Sequence, residues 1–493
     1  MRTPPIGVTA YGVYLPIWRL QRKDIGAALG SGGGHGSRSA AADDEDSTSM
    51  GVEAGRAALG RAGRASGIVF ATATAAYADK SNAAIVHAAL GLDRSVSAYD
   101  FVGASRSGVG AIVAAADAGA AGRPTLAVLS DVRTGMPSSA DEREGGDGAA
   151  ALLFGTGDDV VAALIGHGSA SAEFLDRWRI PGESSSKLWE ERFAEGAYLE
   201  LAKEAVDGAL KAAGLTMADI DRVAVGGLHR RAVKAFAKSL SREAAAHSVD
   251  PQAPFLLVDD LSDTIGATGT AQPGILLATA LDEAAPEETI LIVNLADGAD
   301  ALVFEATASL PAFRENRTAK SVSEQVTGGR TVDYQRYLTW RGYLRREAPR
   351  RPDPDRPAAP PSARNADWKF GLAASRCRSC GTRHMPAIRV CRHCHSVDQM
   401  DRERVADERG TIATYQADLL AYTLSPPLIG AAVNFAGGGR LMCEVTDADA
   451  STLKIGDEVE MTFRRLYTTG DGVHNYFWKA RPVGRATDAD KEA

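Results

Sequence analysis

The sequence predicts a duplicated, layered α/β fold, followed by a zinc-binding pair of knuckles and a small all-β barrel. Three observations lead there. Short apolar runs alternate with helical segments, and that order occurs twice before residue 312. From Arg345 to Arg364 the composition shifts to Arg, Asp, Ala and Pro. Two C-x-x-C pairs and a series of short strands bounded by turn residues follow. At 493 residues the chain exceeds one ordinary domain. It divides into halves at 1–170 and 171–312, an extension and Pro-rich linker at 313–366, a knuckle domain at 367–400 and a barrel at 401–493.

In chain order, Ile6–Leu15 reads as a first strand and is followed by a short helix. The Gly/Ser-rich excursion Ser31–Ala42, which holds a lone His35, has no apolar period and reads as a mobile loop. Asp43-Asp44-Glu45-Asp46-Ser47 supplies negative charge and an N-cap for a helix to about Ala62. Strands near Ile68–Thr72, Val96–Phe101, Thr125–Ser130, Ala149–Phe154 and Val160–Ile165 alternate with helices at Ala83–Leu90 and from Ser105. The second round has helices at Tyr198–Ala213, Arg231–Leu240 and Gly274–Glu283. Its strands are Arg222–Gly227, Pro254–Val258, Thr289–Val293 and Ala301–Phe304. Such a duplication buries sheets around shared helices and brings loops of both halves to one central site. A single open doubly wound sheet is the alternative that periodicity leaves standing.

Pro349, Pro352, Pro354, Pro357, Pro360 and Pro361 favour an extended linker over a packed helix. Beyond it, Cys377-x-x-Cys380 and Cys391-x-x-Cys394 can each present two thiolates on one side of a tight turn. Together they complete tetrahedral zinc coordination and leave no position for substrate. Redox disulfides are the competing reading, disfavoured in a reducing compartment. His384, His393 and His395 are expected at the surface or beside the ligands. Strands at Gly410–Asp418, Gly430–Phe435, Arg440–Val445, Glu458–Phe463 and Asn475–Ala480 fit a five-stranded barrel of the OB type. Tyr467, Tyr476, Phe477 and Trp478 could stack nucleobases there, although aromatics at strand spacing more often form core.

Composition narrows the function. Hydrophobic residues at 45% and charged residues at 24% describe a soluble globular chain. A net charge of -8 argues against a general nucleic-acid binder. The N-terminus lacks an apolar leader core and no apolar run is long enough to span a membrane, so the expected location is cytoplasmic. All five cysteines lie at or after residue 377, which excludes a cysteine nucleophile from residues 1–376.

The stretch Asp100-Phe101-Val102-Gly103-Ala104-Ser105-Arg106-Ser107-Gly108 reads as a strand turning sharply into a helix, with Ser105 at the turn. Unpaired helix N–H groups there stabilise an oxyanion or an activated nucleophile; a plain N-cap serine is the simpler reading. The opening Tyr11–Pro16, the run Asp44–Met50, Ser130-Asp131-Val132-Arg133 and Gly146–Ala150 resemble landmarks of the thiolase superfamily. Within it, the chain resembles 3-hydroxy-3-methylglutaryl-CoA synthase of the archaeal and bacterial type, a relative of type III ketoacyl synthases. Gly439–Met442 and Ile455–Asp457 resemble the zinc-ribbon and OB-fold domain that accompanies acyl-CoA enzymes.

The resemblance implies a thiolase-like fold, a coenzyme A thioester as substrate, a structural zinc and a homodimer formed through the thiolase-like part. The family's acyl-accepting Cys falls on Ser105, its general acid/base Glu on Ala73, its His on His229 with the nearby Lys on Lys234, and its Asn on Ala267. Serine is a weak nucleophile without a base, and Ala73 cannot abstract a proton. The resemblance therefore implies carbon–carbon bond formation or cleavage on an acyl-CoA, of aldol or Claisen type, without a cysteine nucleophile, with His229 leading and Ser105 as oxyanion support. The alternatives are an acyltransferase working through a Ser105 ester, and a catalytically reduced scaffold or acyl-CoA-binding subunit with a thiolase-type partner protein. Lys234, Arg376 and Arg378 are the residues expected to meet coenzyme A phosphates. Asp263, Tyr77 and Tyr198 are weaker acid/base candidates, expected to be solvated or packed.

Overall fold

The computed structural model describes residues 4–30, 32–60, 64–247, 256–347 and 357–483. The chain forms two compact units. One comprises Met1–Ala42, Asp46–Ala84 and Arg94–Tyr337, and the other Asp43–Glu45, Ile85–Asp93 and Leu338–Ala493.

In the first unit ten strands form one hydrogen-bonded sheet made of two five-strand halves. The first half runs Ile6–Tyr14, Gly148–Thr156, Thr125–Asp131, Gly67–Thr72, Ser97–Val102 across the sheet. The second runs Ala162–Ala170, Ala299–Ala306, Thr289–Leu295, Arg222–Gly227, Leu256–Leu257. Taken in chain order within each half, both read first, fifth, fourth, second, third. In both, the first two neighbour pairs are antiparallel and the last two parallel. The duplication is therefore topological as well as sequential. The halves join where Gly7 and Val8 pair with Ala163 and Ala162. Ala162–Ala170, placed by the sequence boundary in the first half, opens the second.

Side-chain alternation decides between the layered and open arrangements. In the second half Ala224, Ile290, Ile292, Leu302 and Phe304 share a core with helices Ser107–Ala120 and Gln272–Glu283 and with the first half's Val69, Ala127 and Leu152. Their sequence neighbours Val223, Val225, Leu291, Val293 and Val303 pack on the opposite side against Tyr198, Ala205, Phe236 and others of helices Glu191–Ala213 and Arg230–His247. A strand with both faces buried reads as a continuous apolar run, as these do. The two central helices thus lie between the halves, as the layered prediction required.

Two local expectations change. Ser37–Ala40 is not a loop but a strand, paired with Trp18–Gln21, which also pairs in parallel with Arg330–Val332. Composition gave no sign of it because its other edge is satisfied by the carbonyls of Asp263 and Ile265, more than 200 residues later. Arg38 is fully buried there, donating to the carbonyls of Arg133 at 2.7 Å and Glu142 at 2.8 Å and to Asp147 at 3.1 Å. The acidic run also divides. Asp46 caps helix Ser47–Leu59 through Ser49 N–H at 2.8 Å in a reciprocal capping box. Asp44 and Glu45 belong to the second unit, where Arg464 reaches them at 3.1 and 2.8 Å and Lys479 pairs with Asp44 at 3.0 Å.

The second unit holds a three-stranded sheet, Arg383–His384, Ala373–Cys377, Met400–Arg404, and a closed five-strand barrel. The barrel order is Gly410–Asp418, Leu428–Phe435, Arg440–Val445, His474–Pro482, Glu458–Thr468, closing through Gly410 and Val459. Tyr476 and Trp478 are core, packed on Phe463 at 5.4 and 5.3 Å, so neither serves as an exposed stacking platform. Ala359–Arg364 is a short helix with Pro near its start, where the missing N–H costs nothing, although an extended linker was expected. Ala62, Pro254, Pro349, Pro352 and Pro354 lie outside the described residues. Among the described residues no helix is long and apolar enough to cross a membrane.

Arg38 satisfies two buried carbonyls and one buried carboxylate at once. Removing one partner of such a buried pair leaves uncompensated charge, so Arg38→Met is expected to lower unfolding free energy by about 3–5 kcal/mol, measured by urea denaturation.

Candidate functional site

Helix Ser107–Ala120 begins two residues after Ser105, and Arg106, not Ser105, occupies its N-cap position. The simple N-cap reading of Ser105 therefore does not hold. Its carbonyl accepts from Gly108 N–H at 3.2 Å, and its hydroxyl makes no hydrogen bond among the described residues. Two contacts fix this turn. A side chain on Gly108 would meet the Thr270 carbonyl at 2.3 Å, so only glycine lets the helix start approach the second half this closely. Arg106 reaches across to Asp300 at 2.9 Å, the Asp297 carbonyl at 2.8 Å and Ser169 at 2.9 Å. Gly298, with φ +122, leaves room for that guanidinium.

Ser105 lines a cavity of about 720 Å³ together with Ala73, Arg179, Tyr198, Leu295 and Asp297. A smaller cavity of about 220 Å³ is lined by His229, Ala267, Asp141, Trp189 and Gln272. Arg133, Asp176, Arg177 and Leu228 line both. The structure thus brings Ser105 together with Ala73, and His229 together with Ala267, on two sides of a common wall.

His229 is held by both ring nitrogens. Nδ1 accepts from Ala232 N–H at 3.1 Å, and Nε2 lies 3.0 Å from the Glu191 carbonyl. A carbonyl only accepts, so this geometry selects the neutral tautomer with hydrogen on Nε2. Ala73 is held too: its N–H donates to Asp131 at 2.7 Å and its carbonyl accepts from Arg179. Asp131 is buried and also takes bonds from Thr72, Thr74 and, across the halves, Thr270 N–H at 2.8 Å. It positions the turn.

Among the weaker candidates, Asp263 is an exposed residue paired with Arg22 at 3.2 Å and Arg230 at 2.6 Å. Tyr77 lines neither cavity. Tyr198 lines the larger one, where burial and then Asp176 push its phenol up. The residue that sequence reading missed is Asp297. It sits at φ 45 in the Ala296-Asp297-Gly298 turn joining two paired strands, in the Ser105 cavity. Asp297 is exposed at the turn, and partial desolvation, then the Asp176 charge, raises its carboxyl above the ordinary range, which suits it to exchange protons. The Asp-Gly dipeptide between two apolar runs signalled the hairpin, but not which wall the aspartate lines.

The expected phosphate ligands differ in availability. Lys234 is exposed on helix Arg230–His247. Arg376 is paired with Glu403 at 2.8 Å and Arg378 with Asp401 at 2.7 Å.

The four knuckle cysteines place their sulfur atoms within 4.8 Å of one another. Cys377 and Cys394 are 3.6 Å apart, and Cys380 and Cys391 are 3.5 Å apart. Thiolates around tetrahedral zinc, each bonded at about 2.3 Å, are separated by about 3.8 Å, so the set fits one zinc ion. His384 Nε2 lies 3.4 Å from Cys391 Sγ, beside the ligands and not among them.

Residues 371–398 match the family described as ChsH2, rubredoxin-like zinc ribbon domain, and residues 403–464 match ChsH2, C-terminal OB-fold domain. The chain is 28% identical over 355 residues to a hydroxymethylglutaryl-CoA synthase of Methanosarcina barkeri, covering 69% of this chain and 99% of that one. It is 27% identical over 342 residues to the enzyme of the same name from Pyrococcus horikoshii, covering 67% and 95%. Among solved structures, a complex titled MvaS with 3-hydroxy-3-methylglutaryl coenzyme A superposes with TM-score 0.58 at 21% identity, over 72% of this chain and 95% of that one. The 3-oxoacyl-(acyl carrier protein) synthase III of Pseudomonas aeruginosa PAO1 superposes with TM-score 0.53 at 21% identity, over 62% and 98%. The fold is thiolase-like, carrying a zinc ribbon and an OB-fold barrel.

Purified chain is expected to carry close to one zinc ion, read by elemental mass spectrometry, and Cys377→Ser with Cys391→Ser to lose it. Full folding and undiminished melting temperature after exhaustive chelation would overturn a structural role for the metal.

Proposed function

We propose that this chain, a thiolase-like part similar to hydroxymethylglutaryl-CoA synthases joined to zinc-ribbon and OB-fold domains of the ChsH2 kind, makes or breaks a carbon–carbon bond in an acyl-CoA thioester by aldol or Claisen chemistry without a cysteine nucleophile. The observation that carries the reading is Ser105 at the helix-start turn, in one cavity with the Asp297 carboxyl, whose pKa is raised. Residues 1–376 contain no cysteine, so no thiolate in the thiolase-like part can take up the acyl group.

In the cleavage direction, Asp297 accepts the proton of a 3-hydroxyl and the bond between C2 and C3 breaks. The electron pair moves onto the thioester oxygen as an enolate. The N–H and O–H of Ser105 are the donors placed for that oxyanion, and the Nε2–H of His229 is a third once it exchanges the Glu191 carbonyl for substrate. Lys234 is our candidate for a coenzyme A phosphate, since Arg376 and Arg378 are already paired with carboxylates. The sheet-edge strand Ser97–Val102, with Tyr99 and Val102 exposed, supports a homodimer. A reduced scaffold is the second reading, favoured by the two engaged nitrogens of His229 and by alanine at residues 73 and 267.

The test is incubation with 3-hydroxyacyl-CoA and acyl-CoA thioesters, with mass spectrometry of products and protein. His229→Ala and Asp297→Asn are each expected to lower kcat roughly 100-fold or more, with Ser105→Ala sparing much of the activity. Activity should fall as pH drops through the raised Asp297 pKa, where the base becomes protonated, and Asp297→Asn should remove that acidic limb. An acyl ester on Ser105, or equal loss in Ser105→Ala and His229→Ala, would overturn this version. Thioester binding with neither product nor adduct would favour the scaffold.

A further inference from the structure

The mechanism asks for Ser105 and His229 at one thioester oxygen, yet they line two different cavities. Of the residues that border both, Arg133 and Leu228 extend the strands Thr125–Asp131 and Arg222–Gly227 and so belong to the large sheet. Asp176 and Arg177 instead begin a segment that runs to Glu191, the first residue of helix Glu191–Ala213. Along it, Arg179, Ile180 and Ser184 line only the Ser105 cavity, and Leu188, Trp189 and Glu191 only the His229 cavity. One short piece of chain therefore walls both.

Among the described residues the ladder of this segment is closed on itself. Lys187 pairs with Trp178 and Leu188 with Arg177, in a two-stranded sheet apart from the ten-stranded one. Such a hairpin is marginal in water by itself, so its position depends on polar anchors. Arg177 is bound to both oxygens of Asp141, on helix Ala140–Glu144, at 2.6 Å. Arg179 donates to the Ala73 carbonyl, and the Glu191 carbonyl lies 3.0 Å from His229 Nε2. The last anchor sits at a soft point, because Glu190, at the N-cap of the helix, makes no side-chain cap bond. Ile180, Leu188 and Trp189 are exposed although they border the cavities, and Trp189 meets Trp178 edge to face at 6.1 Å. Apolar side chains left in water there gain burial when a ligand enters and the segment rearranges over it.

We propose that Asp176–Glu191 is a gate, shut in the structure, and that the Arg177–Asp141 pair is its latch. Shut, it keeps the cavities apart and occupies the Nε2–H of His229 with the Glu191 carbonyl. Open, it frees that donor and joins the cavities, so that one thioester reaches Ser105 and His229 together. Only hydrogen bonds and the ion pair change. The inference rests on the acyl-CoA reading above and adds the regulation of its site. Binding waits on the open form, and apparent affinity falls in proportion to the fraction of molecules in which the gate is open.

Stopped-flow tryptophan fluorescence of the full chain, mixed with acetyl-CoA and with 3-hydroxybutyryl-CoA, reads the gate through Trp178 and Trp189. In the unsubstituted chain the observed binding rate is expected to level off with rising thioester concentration, where gate opening limits it. Asp141→Asn and Arg177→Gln, which each release the latch, should raise that plateau roughly threefold or more. Asp141→Glu, which keeps the charge, should move it less. A rate that rises linearly to the highest concentration overturns the gate and leaves the acyl-CoA reading intact. So does a plateau that neither release variant moves, and so does binding seen by calorimetry with no change in fluorescence. If neither thioester binds by calorimetry, the acyl-CoA reading falls and the gate with it. If both release variants fail to fold, judged by their melting curves, the concentration dependence in the unsubstituted chain decides.

Discussion

Two buried carboxylates set the geometry of the thiolase-like unit. Asp131 ends one strand and Asp147 precedes the next, with Asp131 facing Gly148 in the sheet register. A charge out of water must be matched by donors, and both are matched almost entirely by backbone N–H groups and hydroxyls. Asp131 ties the Thr72–Thr74 turn of the first half to Thr270 of the second. Asp147 ties Ala41, Arg38 and the Arg133 backbone.

That constraint bears on the chemistry. A thiolase-type site normally spends its polar groups on a thiolate, an acid and an amide. On the resemblance drawn from the sequence, those three places would fall on Ser105, Ala73 and Ala267. The polar groups that remain are of another kind: an aspartate with a raised pKa at the hairpin turn, a neutral imidazole held at both nitrogens, and a wall of guanidinium groups. Such an inventory favours proton exchange and oxyanion stabilisation over acyl storage. The zinc site belongs to the second unit. Its four sulfur positions are closed around one point, as a structural site requires.

What could be read from residue order alone depended on short-range physics. Period-two alternation, apolar runs and turn residues placed the main strands to within a few residues, and the repeat of their order revealed the duplication. The paired cysteines defined their own site because two C-x-x-C turns constrain four thiolates locally. The Ser105 turn was legible for the same reason. Other features were not. Ser37–Ala40 looked like a Gly/Ser loop because only its Trp18–Gln21 partner is nearby in the chain, while its other edge donates to the carbonyls of Asp263 and Ile265 more than 200 residues later. Asp44 and Glu45 looked like helix-start charge, yet their cations are Arg464 and Lys479.

By itself, then, the sequence determined the elements, their duplicated order, the metal ligands and the absence of a thiol nucleophile, all of which follow from residue type and near-neighbour spacing. Only the tertiary structure decided that Ser105 and His229 face adjoining cavities and that Asp297 joins the first of them. Those outcomes depend on how the two halves pack together. That packing rests on contacts such as Asp131 with Thr270 and Asp147 with Ala41, more than a hundred positions apart, and no local pattern encodes it.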